Sequence, residues 1–469
     1  MLMLVIGVLV VLASIYPFAV LEKPVLNWFL LFTADAVIIT AGWIFKKDFL
    51  EKNLFSPRSI FSGLTILHFG FPSILLSYKN SFVNKAMYAD INSAILMVLI
   101  SLLFYYWGYK YVYGKTKHLK LADVTPSFNE TRITKTIIGL LIAGYISRFL
   151  IIISGGYFQI SRATQVEDLK GPFYSIFYTV EEFPLYALCL AAIALWAKRE
   201  SRTKRKWSFI TLTIGLSELL YWLISGRKEQ TIMAFLYPFI VYNIMTLKLP
   251  SKKVILTFII FLMLYFPFNF YYRYLLQAGG LGAVNPIEVL TNPEFLGQLT
   301  EFEDMNQNES GGLLERINLM ESITGAVSIK NHGKWESFPG ENYVSAVYSI
   351  VPRFLWPGKP EFHYGNEFGH AVGILYPRDD ITSISVTFIG EAYLNFSFAG
   401  VVVIGFFGIF FAYFYKLIFS SKNYLTWLFV YLTILPTLLY FGGTFTLYFG
   451  GLIKLVPFSY LIGYYCSKK

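Results

Sequence analysis

The chain has 469 residues, 55% hydrophobic, 19% aromatic and 14% charged, with a mean hydropathy of +0.54 and a formal net charge of +10. Soluble domains carry about 25% charged residues, so this composition excludes a soluble enzyme, and runs such as Ile91 to Leu103 lack the alternation of a transmembrane barrel. Two cysteines, Cys189 and Cys466, offer neither a disulfide framework nor metal-ligand spacing.

A helix needs about 20 apolar residues to cross a hydrocarbon core about 30 Å thick. Runs of that kind predict an all-α, polytopic membrane protein with about twelve transmembrane helices. The first nine are predicted at Leu2 to Val20, Val25 to Phe45, Ile60 to Leu76, Ile91 to Val112, Thr136 to Ile153, Phe173 to Ala197, Trp207 to Ile224, Thr231 to Leu247 and Val254 to Tyr271. The last three are predicted at Phe396 to Phe419, Tyr424 to Phe441 and Phe445 to Tyr464. The first run lacks a basic leader and a small-residue cleavage site, so it reads as a retained span.

Alternate connections collect the basic residues. Lys46, Lys47, Lys52 and Arg58 lie in one, Lys198 to Lys206 form a dense cluster in another, and Lys468 and Lys469 end the chain. The positive-inside rule makes this face cytoplasmic, with both termini inside. The basic clusters therefore read as a topology signal, and no nucleic-acid partner is expected.

Residues 272–395 form the one long connection on the other side, richer in acidic than in basic residues. The predicted organisation is a nine-span bundle over 1–271, an extracytoplasmic helical loop or cap over 272–395, and a three-span part over 396–469. Leu313, Ile317, Met320 and Ile323 recur at helical spacing within the cap, while Pro352, Pro357 and Pro360 interrupt any helix near Arg353. Loops longer than about 15 residues without structure are uncommon and usually functional.

Ionisable residues inside spans are costly and mark functional hypotheses. Arg148, Glu181, Glu182 and Lys454 all fall toward the outer ends of their predicted spans, and Arg227 lies on the tight outer turn Ser225-Gly226-Arg227-Lys228. Two readings stay open for the cations: pairing with Glu181, Glu182 or Glu218 to hold helices together, or convergence on a common anion. Arginine binds phosphate through paired, charge-assisted hydrogen bonds, and at the outer leaflet a lipid-carrier diphosphate is the natural anion. Asp35 and His68 are lone polar groups in spans and are expected to hydrogen-bond between helices.

The stretch from Val351 to Gly400 concentrates the polar chemistry. It contains P-R-F-L-W-P-G-K-P at Pro352 to Pro360, T-S-I at Thr382 to Ile384, and G-E-A-Y-L-N-F at Gly390 to Phe396, followed by Gly400. With the outer-turn Ser225-Gly226-Arg227, these segments resemble the bacterial oligosaccharide repeat unit polymerases of the Wzy type. The turn departs from an S-G-x-R-like element of such proteins by lacking a residue between glycine and arginine.

The resemblance implies an inner-membrane glycosyltransferase that extends O-antigen, capsule or exopolysaccharide chains. Its substrates would be undecaprenyl-diphosphate-linked oligosaccharides, its surroundings membrane lipids, and a chain-length regulator protein is a partner such enzymes admit. No cofactor and no metal are expected; Asp379-Asp380 reads as a solvated turn. Transfer from a diphosphate donor requires stabilisation of the departing charge and a base for the attacking hydroxyl. Arg227, Arg353, Arg273 and Arg148, with Lys359 and Lys454, are the candidates for the first role; Glu391, His370 and His363 are those for the second. A ligase that moves the finished glycan to another acceptor, and a flippase or transporter for the lipid-linked unit, remain alternatives. A transporter would be expected to show matched internal repeats, and none is evident in the sequence.

Overall fold

The computed structural model describes residues 2–19, 24–79, 84–114, 128–153, 174–198, 203–279, 318–335, 339–348, 351, 355–356, 358, 364–379, 382–420 and 423–467. Every regular element among them is helical. Seven helical stretches are long and apolar enough to cross a membrane: Trp28–Leu50, Pro57–Tyr78, Lys85–Tyr113, Glu130–Ile153, Ile176–Ala197, Lys204–Ser225 and Phe388–Phe419. The other runs predicted as spans also carry helix, at Leu2–Ala19, Lys228–Thr246, Lys252–Gly279, Tyr424–Leu439 and Phe445–Ser467. The chain divides into two compact units: Met1–Leu119 with Leu314–Lys422 and Thr437–Pro457, and Lys120–Leu313 with Asn423–Pro436 and Phe458–Lys469.

The first unit begins with α1 (Leu2–Ala19) and α2 (Trp28–Leu50), the latter started by Asn27, whose side chain accepts from the Leu30 N–H at 2.9 Å. As the sequence suggests, Asp35 of α2 ties the two together, accepting from Ser14 Oγ at 2.8 Å. Then α3 (Pro57–Thr65) runs through a wide π-turn at Ile66–Gly70 into α4 (Phe71–Tyr78), which has Pro72 in its first turn. Proline cannot donate, and a π-turn is one way to absorb the lost bond. His68 in this turn accepts through its backbone carbonyl from Leu319 N at 3.2 Å.

Arg58 takes a different place from the one its sequence context suggests. It is buried and forms an ion pair with Asp48, with Nε to Oδ2 at 2.8 Å, and Ser56 donates to the same carboxylate at 2.5 Å. Its charge is an internal tie between α2 and α3 as well as a contribution to the basic count. Removing one partner of such a pair typically costs about 3–5 kcal/mol, because the other charge is left buried and unpaired.

Next, α5 (Ile91–Tyr113) lies along a later helix, α16 (Val401–Ser420), at backbone-to-backbone distance. A Cβ at Gly108 would strike the Gly405 carbonyl, and one at Gly408 would strike the Tyr105 carbonyl. Small residues facing one another in this way let helices gain dispersion contact where lipid offers no hydrophobic drive.

The second unit contains α6 (Glu130–Ile153), α7 (Tyr174–Val180), α8 (Phe183–Ala197), α9 (Lys204–Ser225), α10 (Lys228–Thr246) and α11 (Lys252–Gly279). Leu185 to Leu195 of α8 are all buried, as expected of a helix apolar on every face. It packs against α6, α9 and α10. Gly144 of α6 admits the Pro184 ring at the start of α8, where a Cβ would overlap it.

Returning to the first unit, α12 (Met320–Asn331), α13 (Glu341–Tyr348), α14 (Tyr364–Ala371) and α15 (Phe388–Phe396) precede α16. Of the predicted cap stripe, Met320 and Ile323 are buried on α12, and Leu313 and Ile317 lie outside the described residues. The chain closes with α17 (Tyr424–Leu439) and α18 (Phe445–Ser467). The apolar segment predicted to begin at Phe396 starts earlier, at Phe388, because Thr387 caps it by accepting from the Gly390 N–H at 3.0 Å.

Candidate functional sites: an isolated carboxylate and an arginine network

Glu391 sits in the first turn of α15 and is 0% exposed. Its Oε1 accepts from Asn342 Nδ2 of α13, and its Oε2 accepts from the backbone N–H of Phe445 at the start of α18. Asn395, one turn on, donates through Nδ2 to the Glu391 carbonyl at 2.8 Å and accepts from Gly340 N at 2.7 Å. Both donors to the carboxylate are neutral. Burying such a group with no cation among the described residues beside it is expensive, so its presence in the core calls for an explanation beyond packing.

The backbone around Glu391 is also strained. Thr387 has φ +61° and Ser397 φ +52°, so side-chain-bearing residues at both ends of α15 adopt the region that favours glycine. Such residues cost about 1–3 kcal/mol each and cluster at functional sites.

Aromatic rings gather around the residues that hold the carboxylate. Tyr343 lies 4.3 Å from Phe445 and 5.7 Å from Phe396 between ring centroids, and Trp335 meets Tyr364 edge-on at 5.2 Å. Burial first, and the neighbouring Glu391 second, hold the Tyr343 and Tyr364 phenols above their usual range. Both phenols therefore remain protonated, so each hydroxyl keeps a hydrogen to donate.

His370 is half-buried on α14, with its Nε2 3.1 Å from the Asp379 carbonyl. A carbonyl only accepts, so this contact places the ring proton on Nε2. Asp379 itself closes a turn, with Oδ1 accepting from Thr382 N at 2.8 Å. Among the described residues His370 and Glu391 share no hydrogen bond. His363, Arg353 and Lys359 lie outside the described residues; Arg273 lies on α11, with its side chain outside them. Lys454 lies on α18 with an exposed side chain.

In the second unit Arg148 and Arg227 have partners. Arg148 of α6 is 2% exposed and grips Glu218 of α9 with both terminal nitrogens, at 2.7 and 2.5 Å. Its Nε donates at 3.0 Å to the Glu181 carbonyl. That carbonyl is available because the helix breaks at Glu181 and Glu182 before Pro184, and Leu185 N bonds Glu182 O instead. Tyr221 covers the Arg148 guanidinium at 3.7 Å, and Trp222 Nε1 donates to Glu218 at 3.0 Å.

Arg227 follows Gly226, whose φ of +70° ends α9 and turns the chain into α10. Asn269 Nδ2 donates to the Gly226 carbonyl at 3.0 Å and Tyr272 OH to the Ile224 carbonyl at 2.8 Å, so α11 holds this turn. Arg227 Nη1 pairs with Glu181 Oε1, and the guanidinium lies 4.9 Å from the Tyr178 ring and 5.3 Å from the Trp222 ring. Its side chain is 17% exposed, against 3% for Arg148. Among the described residues Nε and Nη2 of Arg227 carry no hydrogen bond.

The expected convergence of cations on one anion is therefore answered for Arg148 by Glu218, the pairing alternative that the sequence left open. Glu182 accepts from Gln230 at 2.9 Å. Asn342, Tyr343, Tyr364 and Trp335 were not nominated by sequence reasoning; Asn342-Tyr343 directly follows Gly340-Glu341 at a helix start, and only the fold brings them to Glu391. No family model matches the chain, and neither a curated protein nor a solved structure matches it.

Proposed function

We propose that the protein is a membrane glycosyltransferase that extends oligosaccharides carried on a lipid diphosphate. The reading includes twelve spans in a bacterial cytoplasmic membrane, both termini inside, and an extracytoplasmic loop between the ninth and tenth. The observation that carries it is Glu391, a carboxylate buried among neutral amide donors and aromatic rings in a chain of apolar helices. An acceptor hydroxyl needs a base as it attacks, and a desolvated carboxylate is suited to that task.

In the transfer, the acceptor oxygen forms a bond to the anomeric carbon of the donor sugar while the bond from that carbon to the diphosphate breaks. The electron pair leaves with the diphosphate, and the hydroxyl proton passes to Glu391. Within the second unit, Arg227 is better suited than Arg148 to meet a phosphate, since part of its guanidinium is exposed and two of its nitrogens have no described partner. Arg148 serves as a structural tie.

Purified protein supplied with lipid-linked repeat units should lengthen them, and Glu391→Gln should stop lengthening while the protein still melts cooperatively. In cells lacking the protein, single lipid-linked units should persist without a long-chain ladder. Long carrier-bound chains in those cells would instead identify a ligase, and untranslocated units a flippase.

A further inference from the structure

Three polar atoms on aromatic side chains near Glu391 remain unaccounted for. Trp335 Nε1, Tyr343 OH and Tyr364 OH are each shielded from solvent, and none makes a well-formed hydrogen bond to a described residue. They belong to one neighbourhood: Tyr343 follows Asn342 and packs on Phe445, both of which donate to Glu391; Trp335 and Tyr364 are in ring contact; and Tyr343, Tyr364 and Glu391 lie within electrostatic reach of one another. The Tyr364 hydroxyl has one polar neighbour, the Asn395 side chain, in a contact short of full hydrogen-bond geometry. Buried donors left unmatched are costly, and a native fold rarely leaves several together without a role.

The chemistry of the cluster restricts what could satisfy it. Three donors call for a ligand rich in acceptors. A phosphate or carboxylate would supply them, but each would place a second negative charge beside Glu391 with no cation among the groups described around it. A neutral polyol carries acceptors without charge, and the rings of Tyr343, Phe396 and Phe445 offer apolar faces to its C–H surface. Its own hydroxyls can donate in turn to Glu391. We infer that Trp335, Tyr343 and Tyr364 form a subsite for an uncharged sugar ring, presented with one hydroxyl toward Glu391. This rests on the glycosyltransferase reading for its catalytic meaning, but the binding stands on the three donors. The three atoms are shielded from solvent, so binding requires these side chains to move apart.

Glucose and glucuronate, which differ by a carboxylate at one carbon, separate the possibilities. Saturation-transfer NMR on the full-length protein in lipid nanodiscs should show transfer to glucose and little to glucuronate. In the double variant Tyr343→Phe/Tyr364→Phe, which keeps both rings, transfer to glucose should fall about five-fold or more. Trp335→Phe gives the same readout should the double variant not fold. Equal transfer to both sugars, or transfer to glucose unchanged in folded variants, would overturn the subsite. Extension of lipid-linked repeats without any sugar response at these residues removes the subsite and keeps the enzyme reading; the sugar response without extension does the reverse.

Discussion

Glu391 and the Arg148–Glu218 pair are both buried charge, yet their surroundings differ in kind. Arg148 meets a carboxylate at both terminal nitrogens and an aromatic face above, so its charge is matched within the protein. Glu391 meets an amide and a backbone N–H, and among the described residues no cation matches its charge. Matched charge holds helices together and has little left to offer a ligand. An isolated carboxylate among neutral donors is costly to the fold and free to accept a proton, which makes it the better candidate for chemistry.

The sharpest way to break this comparison is to neutralise the isolated group. Glu391→Gln should reduce chain extension by about 10²–10⁴-fold, the usual contribution of a positioned base, with the helical circular dichroism spectrum intact. Unchanged extension would assign Glu391 to packing alone.

The matched pair should respond in the opposite way. Glu218→Ala strands the Arg148 guanidinium and should destabilise the second unit by about 3–5 kcal/mol, read as a lower melting temperature in detergent. Adding Arg148→Met should restore much of that loss. If the double variant melts no higher than Glu218→Ala, the two charges are not a closed pair.

Arg227 sharpens the contrast within the arginines. Because it is partly exposed and bonded through one nitrogen, Arg227→Ala should shift the melting temperature less than Arg148→Ala while lowering extension more. The reverse order would exchange their roles. The smallest effect belongs to a neutral tie: Ser14→Ala, which removes the hydrogen bond to Asp35, should cost about 1 kcal/mol, seen as a shift of a few degrees at most.

The helical architecture was legible in the sequence because a span is a local signal: about 20 apolar residues declare it wherever they occur. Asp35 was legible for the same reason, since a single carboxylate in an apolar run has few options other than a neighbouring helix. Arg58 was misleading locally, since a basic residue near a span end looks the same whether it faces water or Asp48. The start of α15 was hidden because Thr387 provides a cap nine residues before the evident apolar run, in a conformation no propensity for threonine would favour. The α5–α16 seam was also hidden, because Gly108, Gly405 and Gly408 acquire meaning only once two distant segments face each other. Trp335, Tyr343 and Tyr364 resemble ordinary aromatic residues until the fold gathers them beside Glu391.

The two residues at positive φ flanking α15 have a consequence for how the protein would change under selection. Glycine at Ser397 would relieve its backbone at little apparent loss, whereas glycine at Thr387 would also delete the hydroxyl that caps the helix. A library enriched only for heat tolerance should therefore accept Ser397→Gly readily and resist Thr387→Gly. The same library enriched for polysaccharide output should retain both native residues if the stub they clamp must hold Glu391 still. The history of these two positions under the two pressures would separate durability from work.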